Sequence, residues 1–135
     1  MQDFYRENIL DHGMHPRNRG ILDPADVDYE GSNPLCGDRL RLTLRFDEQG
    51  RVSAVGWDGD GCAISQAAAS MLGEEIMGKT LEEIRAIDKQ FIFDLLGIPL
   101  SANRVKCALL GLKVLRVGLY GLEAWRKLEH EEDED

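Results

Sequence analysis

Apolar residues fall at every second position through Leu40, Leu42, Leu44 and Phe46, with Arg41, Thr43 and Arg45 between them. A period of two predicts a strand with one buried face. Asp47-Glu48-Gln49-Gly50 supplies a hairpin turn, and Arg51 to Trp57 returns as the partner strand with a less regular alternation. Asp26 to Gly31 is read as a third, shorter strand; sequential strands joined by tight turns give an antiparallel sheet. After Asp58-Gly59-Asp60-Gly61 the pattern becomes helical. Residues 62 to 77 predict an Ala- and Met-rich helix, and Thr80-Leu81-Glu82-Glu83 has the form of a capping box opening another. A short helix is expected over 88 to 96, ended near Gly97 and Pro99. A long one follows from Ala102 to Leu128, with Lys106, Lys113, Arg116, Glu123 and Lys127 on a polar stripe. At the other end, residues 2 to 12 read as a short helix whose apolar set is Phe4, Tyr5, Ile9 and Leu10, stopped before the turn His15-Pro16-Arg17-Asn18-Arg19-Gly20. Strands first and helices after is an α+β layout: a small antiparallel three-stranded sheet with helices packed on one face.

The 135 residues suit one domain, read as 1–128, followed by an acidic tail at 129–135 that is expected to be solvated and disordered. The chain carries 16 Lys+Arg against 25 Asp+Glu, a net of −9, and the tail alone holds six of those acids. Its body is therefore only mildly acidic, which argues against a nucleic-acid partner. No run approaches the ~20 apolar residues of a spanning helix, so no membrane association is expected. The opening MQDFYRENIL is too polar for a secretory signal, and the chain reads as soluble and cytoplasmic.

Three cysteines, Cys36, Cys62 and Cys107, are an odd number for a disulfide framework. Free cysteines are commonly just small buried hydrophobes. Here each sits at a special place: Cys36 in the loop Asn33-Pro34-Leu35-Cys36-Gly37-Asp38, Cys62 after Gly59-Asp60-Gly61 at a helix start, and Cys107 near the start of the last helix. A helix N-terminus favours thiolate, and Arg104 and Lys106 push the same way. Asp38 follows Cys36 by two residues across a glycine. Three sulfurs and this oxygen would suit Zn²⁺ or one edge of an iron–sulfur cluster, the oxygen being the exchangeable corner. Arg39, Arg104 and Lys106 are placed in sequence to offset the negative excess of that donor set. On spacing alone, a convergent thiol site and inert buried cysteines weigh about equally. His12 and His15 read as solvated turn residues, Gly111 and Gly118 as a close-packing seam, and Trp57 and Trp125 as packing anchors.

Asn33-Pro34-Leu35-Cys36-Gly37-Asp38, Gly59-Asp60-Gly61-Cys62-Ala63-Ile64-Ser65 and Arg104-Val105-Lys106-Cys107-Ala108 resemble the motifs of the U-type iron–sulfur assembly family, comprising IscU, SufU and the N-terminal domain of NifU. Tyr5, Asp11-His12 and Pro16-Arg17-Asn18-Arg19-Gly20 are similar to its N-terminal signature. The resemblance implies a scaffold or sulfur carrier rather than a conventional enzyme. It would accept sulfur from a cysteine desulfurase, assemble a transient [2Fe–2S] cluster or hold zinc, and serve downstream apo iron–sulfur acceptors or carriers. It implies Cys36, Asp38, Cys62 and Cys107 as ligands, with Cys36 the persulfide acceptor and Cys107 its competitor. Lys106 stands where IscU proteins have histidine, and Leu100-Ser101-Ala102-Asn103 stands in place of their chaperone-docking proline motif. Both features look like SufU, as does Cys62-Ala63-Ile64-Ser65, yet the usual SufU insertion between the second and third cysteines is missing.

Overall fold

The computed structural model describes residues 7–33 and 37–120. Along the chain run α1 (Glu7–Met14), β1 (Val27–Asn33), β2 (Asp38–Phe46), β3 (Val52–Asp60), α2 (Ala63–Ile76), α3 (Leu81–Arg85), α4 (Lys89–Leu96) and α5 (Ala102–Tyr120). The strands make one antiparallel sheet in the order β1-β2-β3. The alternation in β2 does what period two requires: Leu40, Leu42 and Leu44 are buried. They meet α5, which also packs on β1 and α2. The seam expected at the α5 glycines is present. A Cβ on Gly111 would lie 3.5 Å from Leu72 and 3.7 Å from Leu40, and one on Gly118 would lie 3.2 Å from Tyr29 and Val27.

Local chemistry explains the joints. The β2–β3 hairpin closes through Asp47, whose backbone N–H donates to the Arg51 carbonyl (2.8 Å) and whose carboxylate accepts from the Gln49 and Arg51 amides. The Thr80–Glu83 capping box forms reciprocally at α3, and Asp88 caps α4, which stops at Gly97 in the left-handed region. The outer rim of β3 is occupied at both ends. Trp57 exchanges backbone hydrogen bonds with Asn18 and Gly20, and Val52 does so with Gly78 and Lys79.

Two polar residues depart from expectation. His12, read as a solvated turn residue, lies within α1 and is buried against α2, its Nδ1 2.6 Å from the Ser70 hydroxyl. Its Nε2 lies 3.5 Å from Glu74. The helix simply runs later than the pattern suggested, to Met14, which turns His12 inward beside Ile9. Arg116, assigned to the polar stripe of the last helix, is also buried. Its guanidinium donates to the carbonyl of Arg85, at the C-terminal end of α3, and to that of Ile87 just beyond it. Trp57 is the packing anchor expected, fully buried with its ring N–H on the Arg17 carbonyl. Phe4, Tyr5, Glu123, Trp125, Lys127, the expected helix end at Leu128 and the tail 129–135 lie outside the described residues.

Candidate metal centre

Asp38 opens β2 on the same face as Leu40 and Leu42, so strand alternation drives its carboxylate inward, to 2 % exposure. A buried carboxylate needs compensation. It is met by the start of α2: Oδ1 accepts from the Cys62 amide at 3.2 Å, and Oδ2 lies 3.8 Å from Cys62 Sγ. Cys62 is the N-cap of α2, in extended backbone with no side-chain capping bond of its own, and the first turn holds no acidic residue. Asp38 therefore supplies from the sheet the negative group that a helix N-terminus favours. Ser65 closes the turn by donating to the Cys62 carbonyl at 3.0 Å.

Gly61 makes this approach possible. A Cβ there would lie 2.5 Å from the Ser65 hydroxyl and 2.7 Å from the Asp38 carboxylate. On the other flank of Asp38, Gly37 takes φ of 73° and its amide donates to the Asn33 carbonyl at 2.8 Å, closing the link between β1 and β2. Cys36, in that link, lies outside the described residues.

Cys107 comes from the opposite direction. It sits in the second turn of α5, 3 % exposed. Its position near the helix start suggests a thiolate favoured by the dipole, but that effect fades beyond the first turn. Cys62 alone of these two thiols has the helix-terminal position. One donor atom each from Asp38, Cys62 and Cys107 lies within 4.8 Å of the others. Donors around a tetrahedral ion with bonds of about 2.0–2.3 Å stand roughly 3.5–4 Å apart, so small side-chain adjustments would let these three share one ion. Two thiolates with a carboxylate suit zinc or iron; a calcium or magnesium site would be built from oxygens.

Arg39 does not supply the charge compensation expected of it. It follows Asp38 in a strand and so points to the other face, where it pairs with Asp60 at 2.9 Å and Glu30 at 3.5 Å. Arg104 and Lys106 are both exposed on α5. Sequence reasoning missed the cradle formed by Gly61 and Ser65; the available signal was a glycine immediately before Cys62 and a hydroxyl three residues after it.

The family model described as NifU-like N terminal domain matches residues 4–128. The chain is 35% identical over 136 residues to the zinc-dependent sulfurtransferase SufU of Bacillus subtilis, covering 88% of this chain and 91% of that protein. It is 37% identical over 131 residues to the iron–sulfur cluster assembly scaffold protein IscU of Thermotoga maritima, covering 85% and 92%. Among solved structures it is similar to a SUF-system scaffold (FiSufU) from Fervidobacterium islandicum AW-1, with a TM-score of 0.67 and 32% identity over 85% of this chain and 96% of that one. A NifU-like N-terminal protein from Brucella abortus, 20% identical, shares the fold at the same TM-score, over 88% of this chain and 94% of that one.

Proposed function

Because the chain belongs to the NifU-like N-terminal domain family, we propose that it is an iron–sulfur cluster assembly scaffold that accepts sulfur from a cysteine desulfurase and passes a [2Fe–2S] cluster to apo acceptors or carriers. The observation that carries this reading is the convergence of Asp38, Cys62 and Cys107 from three separate elements onto one spot. Cys36 completes the proposed ligand set from the adjoining loop. The carboxylate is the hard partner among soft ones, which makes it the corner from which cargo leaves.

Sulfur delivery needs no outside oxidant. The Cys36 thiolate attacks the sulfane sulfur of the donor's persulfide; one S–S bond forms as another breaks, and the donor leaves as thiolate. The deep burial of Cys107 within a helix supports Cys36 over Cys107 as acceptor. With desulfurase and cysteine alone, the chain should gain one sulfur in mass, and adding iron and a reductant should give a visible cluster chromophore. Loss of neither property in Cys36→Ser would overturn the assignment of Cys36.

A second reading, a zinc-dependent sulfurtransferase, is favoured by the likeness to SufU and by Lys106 in place of histidine. Bound zinc would keep the thiols deprotonated and shielded. This reading expects about one zinc per chain after anaerobic purification and faster desulfurase turnover with no iron retained.

A further inference from the structure

We infer that Arg19 is the positioning residue that sets Cys62 for metal, although it lies 43 residues away in sequence and is no ligand itself. The inference rests on reading the Asp38–Cys62–Cys107 cluster as a metal centre.

The backbone between β3 and α2 is Asp60-Gly61-Cys62, preceded by Gly59. Two glycines in four residues leave such a joint loose unless something outside it holds both ends. Arg19 does so. On the strand side, its Nη2 donates to the Gly59 carbonyl at 2.9 Å, and Nε and Nη2 both donate to Asp58 Oδ1, at 3.3 and 3.1 Å. On the helix side, Nη1 donates to the Gln66 side-chain oxygen at 3.1 Å. Gln66 donates its side-chain amide to the Gly59 carbonyl at 3.2 Å and its backbone N–H to the Cys62 carbonyl at 3.1 Å.

The clamp has a firm base. The guanidinium carbon lies 5.0 Å from the centroid of the fully buried Trp57 ring. The chain on either side of Arg19 is fastened to Trp57 by the Gly20 and Trp57 amides. An exposed ion pair alone contributes little. A stacked, planar fork engaging three separate groups is a different device, one that lysine cannot reproduce.

The test uses the full chain, with Co²⁺ and Zn²⁺ as probes. Arg19→Ala should weaken both metals by about 10–100-fold in chelator competition, the range typical of residues that orient a ligand. It should also alter the Co²⁺–thiolate absorption, while the metal-free chain melts no lower than Arg41→Ala. That control removes a comparable pair, Arg41 with Asp28, from another part of the sheet. Arg19→Lys should stay nearer to Arg19→Ala than to the parent. Gln66→Leu, cutting only the helix-side grip, should show a smaller loss in the same direction, and it decides the matter if Arg19→Ala does not fold. Unchanged affinity and spectrum in Arg19→Ala, or full recovery in Arg19→Lys, would overturn the positioning role. A parent chain that takes up neither metal would overturn the metal-centre reading and this inference with it.

Discussion

Cys62 and Cys107 reach the same spot from unlike backgrounds. Cys62 is half-buried at a glycine-bounded joint, held by hydrogen bonds to Asp38 and Ser65. Cys107 stands in the second turn of a packed helix, followed in sequence by the buried Ala108, Leu109 and Leu110. Moving Cys107 means moving α5 against β1, β2 and α2; moving Cys62 means breaking a few polar contacts. The centre thus has one fixed thiol and one adjustable thiol. Such a division suits a site that must hold its cargo and also release it.

The largest expected effect tests the fixed side. Cys107→Ala and Cys62→Ala should each weaken zinc by more than the about 10–100-fold of an orienting residue. Only Cys107→Ala should also lower the melting temperature of the metal-free chain, by a few degrees, corresponding to about 1 kcal/mol of lost packing. Equal melting losses for the two variants would remove the contrast.

Next comes Gly61→Ala, which strikes the adjustable side. The added methyl has to displace Asp38 or Ser65, so a loss of about 1–3 kcal/mol is expected in denaturant unfolding of the metal-free chain, together with weaker metal binding. Asp38 then separates charge from hydrogen bonding. Asp38→Ala should cost about 1–3 kcal/mol of metal-free stability through the half-buried Cys62 amide it leaves unpaired, whereas Asp38→Asn keeps an acceptor and should lose less. Both should loosen zinc in chelator competition.

The smallest effect lies away from both thiols. Burial first, and then the nearby Arg17, hold the His12 pKa below its usual 6.5, with Glu74 and Asp11 opposing. The unfolded chain therefore takes up this proton before the folded one. The contribution of neutral His12 is complete above pH 6.5 and is lost as pH falls from there through the depressed native value. His12→Gln should flatten that part of the stability–pH curve, read by chemical denaturation, without changing zinc affinity at neutral pH.

Much of this was legible in the residues, for physical reasons. Leu40 to Phe46 announce their strand because one face meets the core, and Thr80 with Glu83 because each satisfies the other's helix-start amide. Sequence distance hid the rest. Asp38 was expected at the centre, but its burial through strand alternation also sends Arg39 to the opposite face, a corollary that proximity in sequence obscured. Arg116 and His12 were misread because a polar side chain on an amphipathic pattern is ordinarily solvated. Their partners, the Arg85 and Ile87 carbonyls and Ser70, lie 29 to 58 residues away.

The occupied rim of β3 has one more consequence. A strand with unsatisfied amides along its outer side is a template for sticking to other chains. Asn18 to Gly20 and Gly78 to Lys79 deny that template to the strand that leads into Cys62. Among the described residues, lateral growth of the sheet is left to β1, where Asp28 and Glu30 stand guard. Self-association under stress would then begin on the side of the sheet away from the strand that delivers the adjustable thiol.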